Sequence, residues 1–352
     1  MNKEIMFVTG SMGRGGAERV ISILSNYYVD KGFNVSILML LHSNTSGYEL
    51  NPKVKILDIS NESRKAVIDM PRLILCTRKL ISRRKPDAVV CFMAQNILIT
   101  GLACLGLNQK LIVSERSDPT SLNRNPIYKF LLNWIYATCT KTIFQTKRAR
   151  NYFPQKVQKN SVIIPNPIKV TCVAKGEKKN RIVTAGRLTN QKNHRLLIKA
   201  FSDVLKKYPD FELNIYGEGP KRGEIECLIK ELGLDKKVKL MGSSAHLHSD
   251  IADALMFVLS SDYEGLSNAL LESLMMGLST ISTDCAGSDE VIKDGYNGIL
   301  VPVGNQEELK KAIVRLIEDK ELANTISSNG RKDALEKYTL EHVIAKWNKE
   351  IQ

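Results

Sequence analysis

Aromatic side chains are scarce in this chain, at 6% of residues with two tryptophans. No recognition-helix or RNA-binding signature accompanies them, so a nucleic-acid reader is disfavoured. Seven cysteines (Cys76, Cys91, Cys104, Cys139, Cys172, Cys227 and Cys285) are odd in number and scattered, and they form no Cys-x-x-Cys pair. They exclude a disulfide framework and read as buried thiols of a reducing compartment. No apolar run approaches the roughly 18 residues of a membrane span. Met1-Asn-Lys-Glu4 passes straight into a strand pattern, which argues against a signal peptide and for the cytoplasm. Histidines number only five, and no Asp-x-Asp pair is placed to hold a metal on a sugar nucleotide. His194 and the pair His246-x-His248 are therefore weak metal candidates, and no metal is expected.

What is present is a chain of 352 residues, 43% hydrophobic and 25% charged, in the range of globular proteins with room for two cores. Its charge is unevenly spread. Residues 1–165 hold 24 Lys/Arg against 10 Asp/Glu, a balance of +14, whereas residues 166–352 hold 27 of each. Such a first half suits an anionic ligand or an anionic membrane surface. Ser63 to Arg84 reads as a helix interrupted near Pro71, basic and amphipathic in its last turns, compatible with docking on anionic lipid.

Short apolar runs alternate with helical periodicity along both halves, as in doubly wound parallel sheets, here two of them. Strand patterns at Ile5–Thr9, Asn34–Leu40, Ala88–Phe92, Lys110–Val113, Thr142–Phe144 and Ser161–Ile164 lead to Pro165-Asn166-Pro167, where two prolines end the run. The expected domains are residues 1–167 and 168–337, with a C-terminal helix in 338–352 crossing back to the first. After the first strand, Gly10-Ser-Met-Gly-Arg-Gly-Gly-Ala17 opens a helix, but G-x-G-x-x-G cannot be laid on it. In the second half, Arg181–Ala185 is followed by Gly186-Arg187-Leu188 and then Lys192-Asn193-His194. Glu212–Tyr216 is followed by Gly217-Glu218-Gly219-Pro220. The apolar strand Ala254–Leu259 runs into Ser260-Ser-Asp-Tyr-Glu264-Gly-Leu-Ser-Asn268-Ala-Leu-Leu-Glu272, a loop that becomes a helix. Ligands of open α/β sheets bind at such carboxyl ends, and a helix N-terminus suits phosphate. A carboxylate repels phosphate, so Glu264 and Glu272 should address hydroxyls.

These runs, with Ser261-x-x-Glu264-Gly265 and Glu272, Gly277-x-x-x-Ile281-x-Thr283-Asp284, Gly15-Gly16-Ala17-Glu18 and the Pro165-Asn166-Pro167 hinge, resemble glycosyltransferase family 4 over nearly the whole chain. The resemblance implies the GT-B fold, two Rossmann-like domains facing a central cleft, with nucleotide-sugar binding in the second domain and acceptor binding in the first. It implies that Arg187 and Lys192 hold the donor diphosphate without a metal, and that Glu264 meets the donor sugar while Glu272 holds the ribose hydroxyls. Gly265, Leu266 and Ser267 and the N–H groups of Asn268, Ala269 and Leu270 would line the diphosphate. Gly217, Glu218 and Gly219 would lie beside the base, and Gly15 and Gly16 would let the first domain approach the diphosphate, next to Glu18 on the acceptor side. Transfer would retain configuration, with a front-face step assisted by the leaving phosphate.

Many members carry a histidine where this chain has Ser114-Glu115-Arg116-Ser117-Asp118-Pro119, a pattern similar to the subgroup that builds capsule, O-antigen or protein-linked glycans on polyprenyl diphosphate. Arg116 would then bind an acceptor phosphate and Glu115 orient an acceptor hydroxyl; a buried pair shaping the loop is the plainer reading. The expected function is transfer of a hexose or N-acetylhexosamine from a UDP-sugar to a lipid-linked glycan, at the inner face of the plasma membrane. A UDP-sugar 2-epimerase of the same fold and a catalytically silent nucleotide- or polyanion-binding partner are the alternatives.

Overall fold

The computed structural model describes residues 3–13, 15–42, 47–60, 66–120, 125–174 and 176–352. The chain divides into two compact units, Met1–Pro167 with Val343–Gln352, and Ile168–His342.

In the first unit, strands β1 (Glu4–Thr9), β2 (Asn34–Met39), β3 (Lys55–Asp58), β4 (Ala88–Phe92), β5 (Leu111–Glu115), β6 (Lys141–Phe144) and β7 (Ser161–Ile163) alternate with helices. The helices are α1 (Gly16–Asp30), α2 (Ala66–Arg84), α3 (Ala94–Ala103), α4 (Pro126–Thr138), α5 (Lys147–Asn151) and α6 (Gln155–Lys159). The seven-stranded sheet runs β3-β2-β1-β4-β5-β6-β7, and every neighbour pairs in parallel. Its inner strands are buried along almost their whole length, as expected of a parallel sheet covered on both faces. The expected interruption at Pro71 is not found. Pro71 stands inside a continuous α2, close enough to its start that little of the hydrogen-bond ladder is lost. The expected start of that helix, residues 63–65, lies outside the described residues.

The second unit repeats the scheme. Strands β8 (Lys179–Ala185), β9 (Glu212–Tyr216), β10 (Val238–Gly242), β11 (Ala254–Leu259), β12 (Ser279–Thr283) and β13 (Ile299–Val301) alternate with α7 (His194–Leu205), α8 (Arg222–Glu231), α9 (Leu247–Ile251) and α10 (Asn268–Met276), followed by α11 (Gln306–Glu318) and α12 (Lys320–Lys337). The sheet order β10-β9-β8-β11-β12-β13 is again all parallel. One apolar core lies on each of its faces, one built around Phe201, Leu213 and Ile313, the other around Phe257, Leu271 and Met276.

The terminal helix α13 (Leu340–Ile351) belongs to the first unit from Val343 onward. Trp347 is fully buried and stacks on Phe92 at 5.7 Å between ring centroids. Tyr28 donates to Asn348 Oδ1 at 2.8 Å, and Lys110 Nζ to the Ile351 carbonyl at 3.0 Å. Not every cysteine is enclosed: Cys227, on α8, is exposed, a departure from the expected buried thiols.

Candidate active site

In a sheet wound outward from its middle, two adjacent strands send their following helices to opposite faces, and a crevice opens between their carboxyl ends. In the second unit those strands are β8 and β11. The loop after β8 carries Arg187 and a 3₁₀ turn over Asn190–Lys192, and the loop after β11 carries Ser260–Ser267.

The two loops are tied together through the backbone. The Asp262 N–H donates to the Gln191 carbonyl at 2.8 Å, and Ser260 Oγ to the Lys192 carbonyl at 3.0 Å. Asn193, left-handed at φ 41°, accepts from the Leu196 N–H to cap α7 and donates to Asp262 Oδ1 at 2.7 Å. Across this junction Lys192 Nζ lies 2.5 Å from Glu264 Oε1, with 16% and 8% of the two side chains exposed. Ser261 Oγ donates to the same oxygen at 2.7 Å, and Gln191 Nε2 reaches Oε2 at 3.4 Å. Thus the cation expected on phosphate and the carboxylate expected on sugar hold each other here. Arg187, beside them in sequence, is exposed, and among the described residues no acid pairs with it. His194 opens α7 behind Lys192. Burial first, then the Lys192 charge, push its pKa down to about 4, so the ring is neutral at physiological pH.

The helix after Glu264 begins with amide groups suited to an anion. Ser267 Oγ caps α10 by accepting from the Leu270 N–H at 3.4 Å, and no acid stands in the first turn, so the N–H groups of Asn268 and Ala269 stand at the positive end of the dipole. Gly277 at φ 77° ends the helix in the left-handed conformation that glycine adopts without a Cβ clash. Glu272, one turn in, is buried, and its Oε2 lies 3.5 Å from His248 Nε2. The Thr171 backbone N–H donates to His248 Nδ1 at 3.2 Å. A backbone N–H can only donate, so Nδ1 must accept, and the neutral ring carries its proton on Nε2, toward Glu272. Reading the sequence assigns His248 no role: its partners are Glu272 and Thr171, distant in sequence and brought together only by the fold. Among the described residues, no cluster of three or more His, Cys, Asp or Glu could hold a metal.

The third wall is backbone. Gly217 has φ 133°, and a Cβ on it would lie 2.0 Å from the Gly186 carbonyl oxygen; one on Gly219 would lie 2.4 Å from that of Leu188. Only glycine lets the loop after β9 lie flat on the loop after β8. Glu218 is held by Arg222 Nη1 at 2.7 Å.

In the first unit the equivalent strands are β1 and β4. Gly15 is the N-cap of α1 without a side-chain cap, and Glu18 folds back over it: a Cβ on Gly15 would lie 2.1 Å from Glu18 Oε2. Arg14 lies outside the described residues. Ser114–Asp118, at the end of β5, is turned inward. Glu115, the residue expected to orient an acceptor hydroxyl, is 1% exposed. Its Oε1 accepts from the Arg116 and Ser117 N–H groups and Ser117 Oγ, and its Oε2 from Tyr136 at 2.7 Å. The carboxylate therefore shapes the loop. Arg116 lies beside the stacked Phe92 and Trp347 rings, its Cζ 5.3 Å and 5.5 Å from their centroids. It donates to Ser114 Oγ and Asn166 Oδ1, each at 2.8 Å, while its Nη2 has no partner among the described residues. Burial lowers its pKa to about 9, against the Glu115 charge, so it remains a cation near neutral pH. A cavity lined by Lys85, Asp87, Gln109, Lys110 and Thr140 opens at the amino ends of the strands of this unit, away from these loops.

Two doubly wound parallel sheets in succession, with these loops at their carboxyl edges, make the GT-B architecture. The chain belongs to glycosyltransferase family 4: the description "Glycosyltransferase Family 4" matches residues 14–171 and "Glycosyl transferases group 1" matches residues 172–333. A Campylobacter jejuni enzyme, GalNAc-α-(1→4)-GalNAc-α-(1→3)-diNAcBac-PP-undecaprenol α-1,4-N-acetyl-D-galactosaminyltransferase, is 26% identical, covering 99% of this chain and 98% of its own. A second from that organism, N-acetylgalactosamine-N,N'-diacetylbacillosaminyl-diphospho-undecaprenol 4-α-N-acetylgalactosaminyltransferase, is 28% identical over 92% of this chain and 93% of its own. Among solved structures, Anabaena HepE in complex with UDP superposes with a TM-score of 0.82 at 16% identity, covering 99% of each chain.

Proposed function

We propose that this glycosyltransferase moves a hexose or N-acetylhexosamine, with retention, from a UDP-sugar to a glycan carried on polyprenyl diphosphate, in bacterial surface polysaccharide or glycoconjugate synthesis. The observation that carries the reading is the Lys192–Glu264 pair set beside the N-terminus of α10. Arg187, Lys192 and the Asn268, Ala269 and Leu270 amides would offset the charge of the leaving diphosphate, which in this reading needs no metal. Gly265, Leu266 and Ser267 complete that lining. Lys192 exchanges its hold on Glu264 for a phosphate oxygen, leaving Glu264 to accept from the donor sugar hydroxyls. Glu272, steadied by His248, accepts from the ribose hydroxyls, and Gly217, Glu218 and Gly219 face the base. In the transfer step the bond from the sugar C1 to the diphosphate oxygen breaks and the acceptor oxygen bonds C1 on the same face. The acceptor proton passes to the departing phosphate oxygen.

The acceptor belongs to the first unit in this reading, with Glu18 and Arg116 on its side, while Gly15 and Gly16 let the backbone at α1 approach the donor diphosphate. Both Campylobacter jejuni relatives are named for undecaprenyl-diphosphate-linked acceptors, which supports the lipid carrier. Among the described residues no helix is long and apolar enough to cross a membrane, so the enzyme would reach that carrier from the inner membrane surface. The test is a panel of UDP-sugars screened for hydrolysis, then for transfer to a synthetic polyprenyl-diphosphate glycan with anomeric analysis of the product. An inverted product, or turnover only of non-uridine donors, overturns the reading.

A further inference from the structure

Four large apolar side chains that the first unit leaves exposed lie on or beside one helix, α4. Its inner face is conventional: Leu132, Ile135 and Tyr136 are buried in the core of the unit. Residues advance by roughly 100° around a helix, so Ile127, Phe130 and Trp134 line up on the opposite side. They are 71%, 70% and 39% exposed. A helix that is apolar all round is normally enclosed all round. This one meets solvent with an isoleucine, a phenylalanine and a tryptophan in a row, and Tyr152, 41% exposed, stands next to it. Lys129 makes that junction, with Nζ donating to the Tyr152 hydroxyl at 3.1 Å and lying 5.0 Å over its ring.

The frame around this row is cationic throughout. The sequence has no Asp or Glu between Asp118 and Glu177, a stretch with eight Lys or Arg before Pro167. Lys129 is exposed on α4 itself, Lys147 and Arg148 on α5, and Lys156 and Lys159 on α6, which packs against α4. The basic helix that the sequence offers for docking, α2, is less free than it reads. Arg72 is paired with Asp69, Arg78 donates to the Ala103 carbonyl, and Arg84 is held by Glu4, which leaves Lys79, Arg83 and Lys85 exposed at that end.

We propose that the outer face of α4 is the part of the protein that enters an anionic lipid bilayer. Ile127 and Phe130 sink below the headgroups, Trp134 and Tyr152 sit at the boundary, and the surrounding lysines and arginines meet lipid phosphates. An apolar row inside a wholly cationic rim fits a surface that offers apolar depth and negative charge together. A second copy of the chain would set the same cations against one another. The inference rests on the peripheral-membrane reading above and adds the surface that makes the contact.

The two tryptophans make the test specific, since Trp347 is fully buried and Trp134 is not. The full chain is mixed with phosphatidylglycerol-containing vesicles whose acyl chains are brominated, and with pure phosphatidylcholine vesicles. Quenching of tryptophan emission is expected in the first only. Ile127→Ser, Phe130→Ser and Trp134→Ser together should lower vesicle co-sedimentation by ~tenfold or more, with UDP-sugar hydrolysis and thermal unfolding unchanged. Lys129→Glu with Lys156→Glu should abolish the preference for anionic vesicles. Co-sedimentation undiminished by the triple substitution overturns the α4 assignment and leaves the membrane reading standing. Absence of co-sedimentation by the wild type overturns both. Conversion of a dimer to a monomer by the triple substitution, with vesicle binding intact, assigns the face to self-association and also overturns the proposal.

Discussion

Replacing Lys192 by methionine should do two separable things, because in the proposed reading the lysine has two partners at different times. In the unliganded protein it neutralises Glu264, whose side chain is only 8% exposed, at 2.5 Å. Removing one member of a buried pair costs ~3–5 kcal/mol, since the other charge stays behind. Ser261 and Gln191 still donate to the carboxylate, so the lower end, ~3 kcal/mol, is the expected loss. For a unit of this size that is a drop of ~6–12 °C in its melting transition. Well below that transition, transfer should fall ~100- to 1000-fold through loss of a charge placed on the leaving diphosphate. Adding Glu264→Gln separates the effects. The double variant no longer buries an unpaired carboxylate and should regain ~1–3 kcal/mol of stability relative to Lys192→Met, while transfer stays lost. Urea unfolding followed by circular dichroism, and radiolabelled sugar transfer, measure the two arms. Near-wild-type transfer by Lys192→Met refutes the phosphate role. Strictly additive stabilities refute the coupling of the pair.

Two further predictions follow from the same loops. His248→Ala removes the N–H aimed at Glu272 and should weaken UDP by ~fivefold, the worth of about one hydrogen bond, with kcat little changed; His248→Gln should recover part of it. Because in this reading the effect passes through the ribose hydroxyls, binding of 2′-deoxy-UDP by calorimetry should be less sensitive to the substitution, and an equal loss for both nucleotides would contradict the positioning role. His194 supplies a pH dependence. Its folded pKa of about 4 lies below the ordinary 6.5, so the unfolded chain takes up the proton first. The stability of the second unit is then complete above pH 6.5 and declines as pH falls toward 4, by up to about 3 kcal/mol. His194→Gln should flatten that part of the urea-midpoint profile.

What the sequence disclosed and what it hid divide along a physical line. Strands and helices were legible because a parallel sheet covered on both faces demands unbroken apolar runs, and the helices between them keep helical spacing: Ala254–Leu259 and Asn268–Met276 could be read without coordinates. The two-sheet order followed from the alternation and from the stop at Pro165-Asn166-Pro167. Side-chain partnerships were not legible, because they cross long intervals of sequence. Nothing near Lys192 announces that it faces Glu264, and nothing near His248 announces Thr171 on one nitrogen and Glu272 on the other. Glu115, for which the sequence leaves both an acceptor contact and a loop-shaping role open, shows how a polar cluster at a strand end can be occupied by its own turn. Loops at the carboxyl edge of a sheet hold ligands, but they must also bury their own turns, and a carboxylate that accepts from two successive N–H groups and a tyrosine is serving the turn. Arg116, one residue on, differs in a way that only coordinates reveal. It keeps its charge despite burial, its guanidinium packs beside Phe92 and a tryptophan from the far end of the chain, and Nη2 has no partner among the described residues. Adjacent in sequence and alike in burial, the two part on whether their hydrogen-bonding capacity is spent: both Glu115 oxygens accept, whereas Arg116 Nη2, enclosed as it is, has no partner among the described residues.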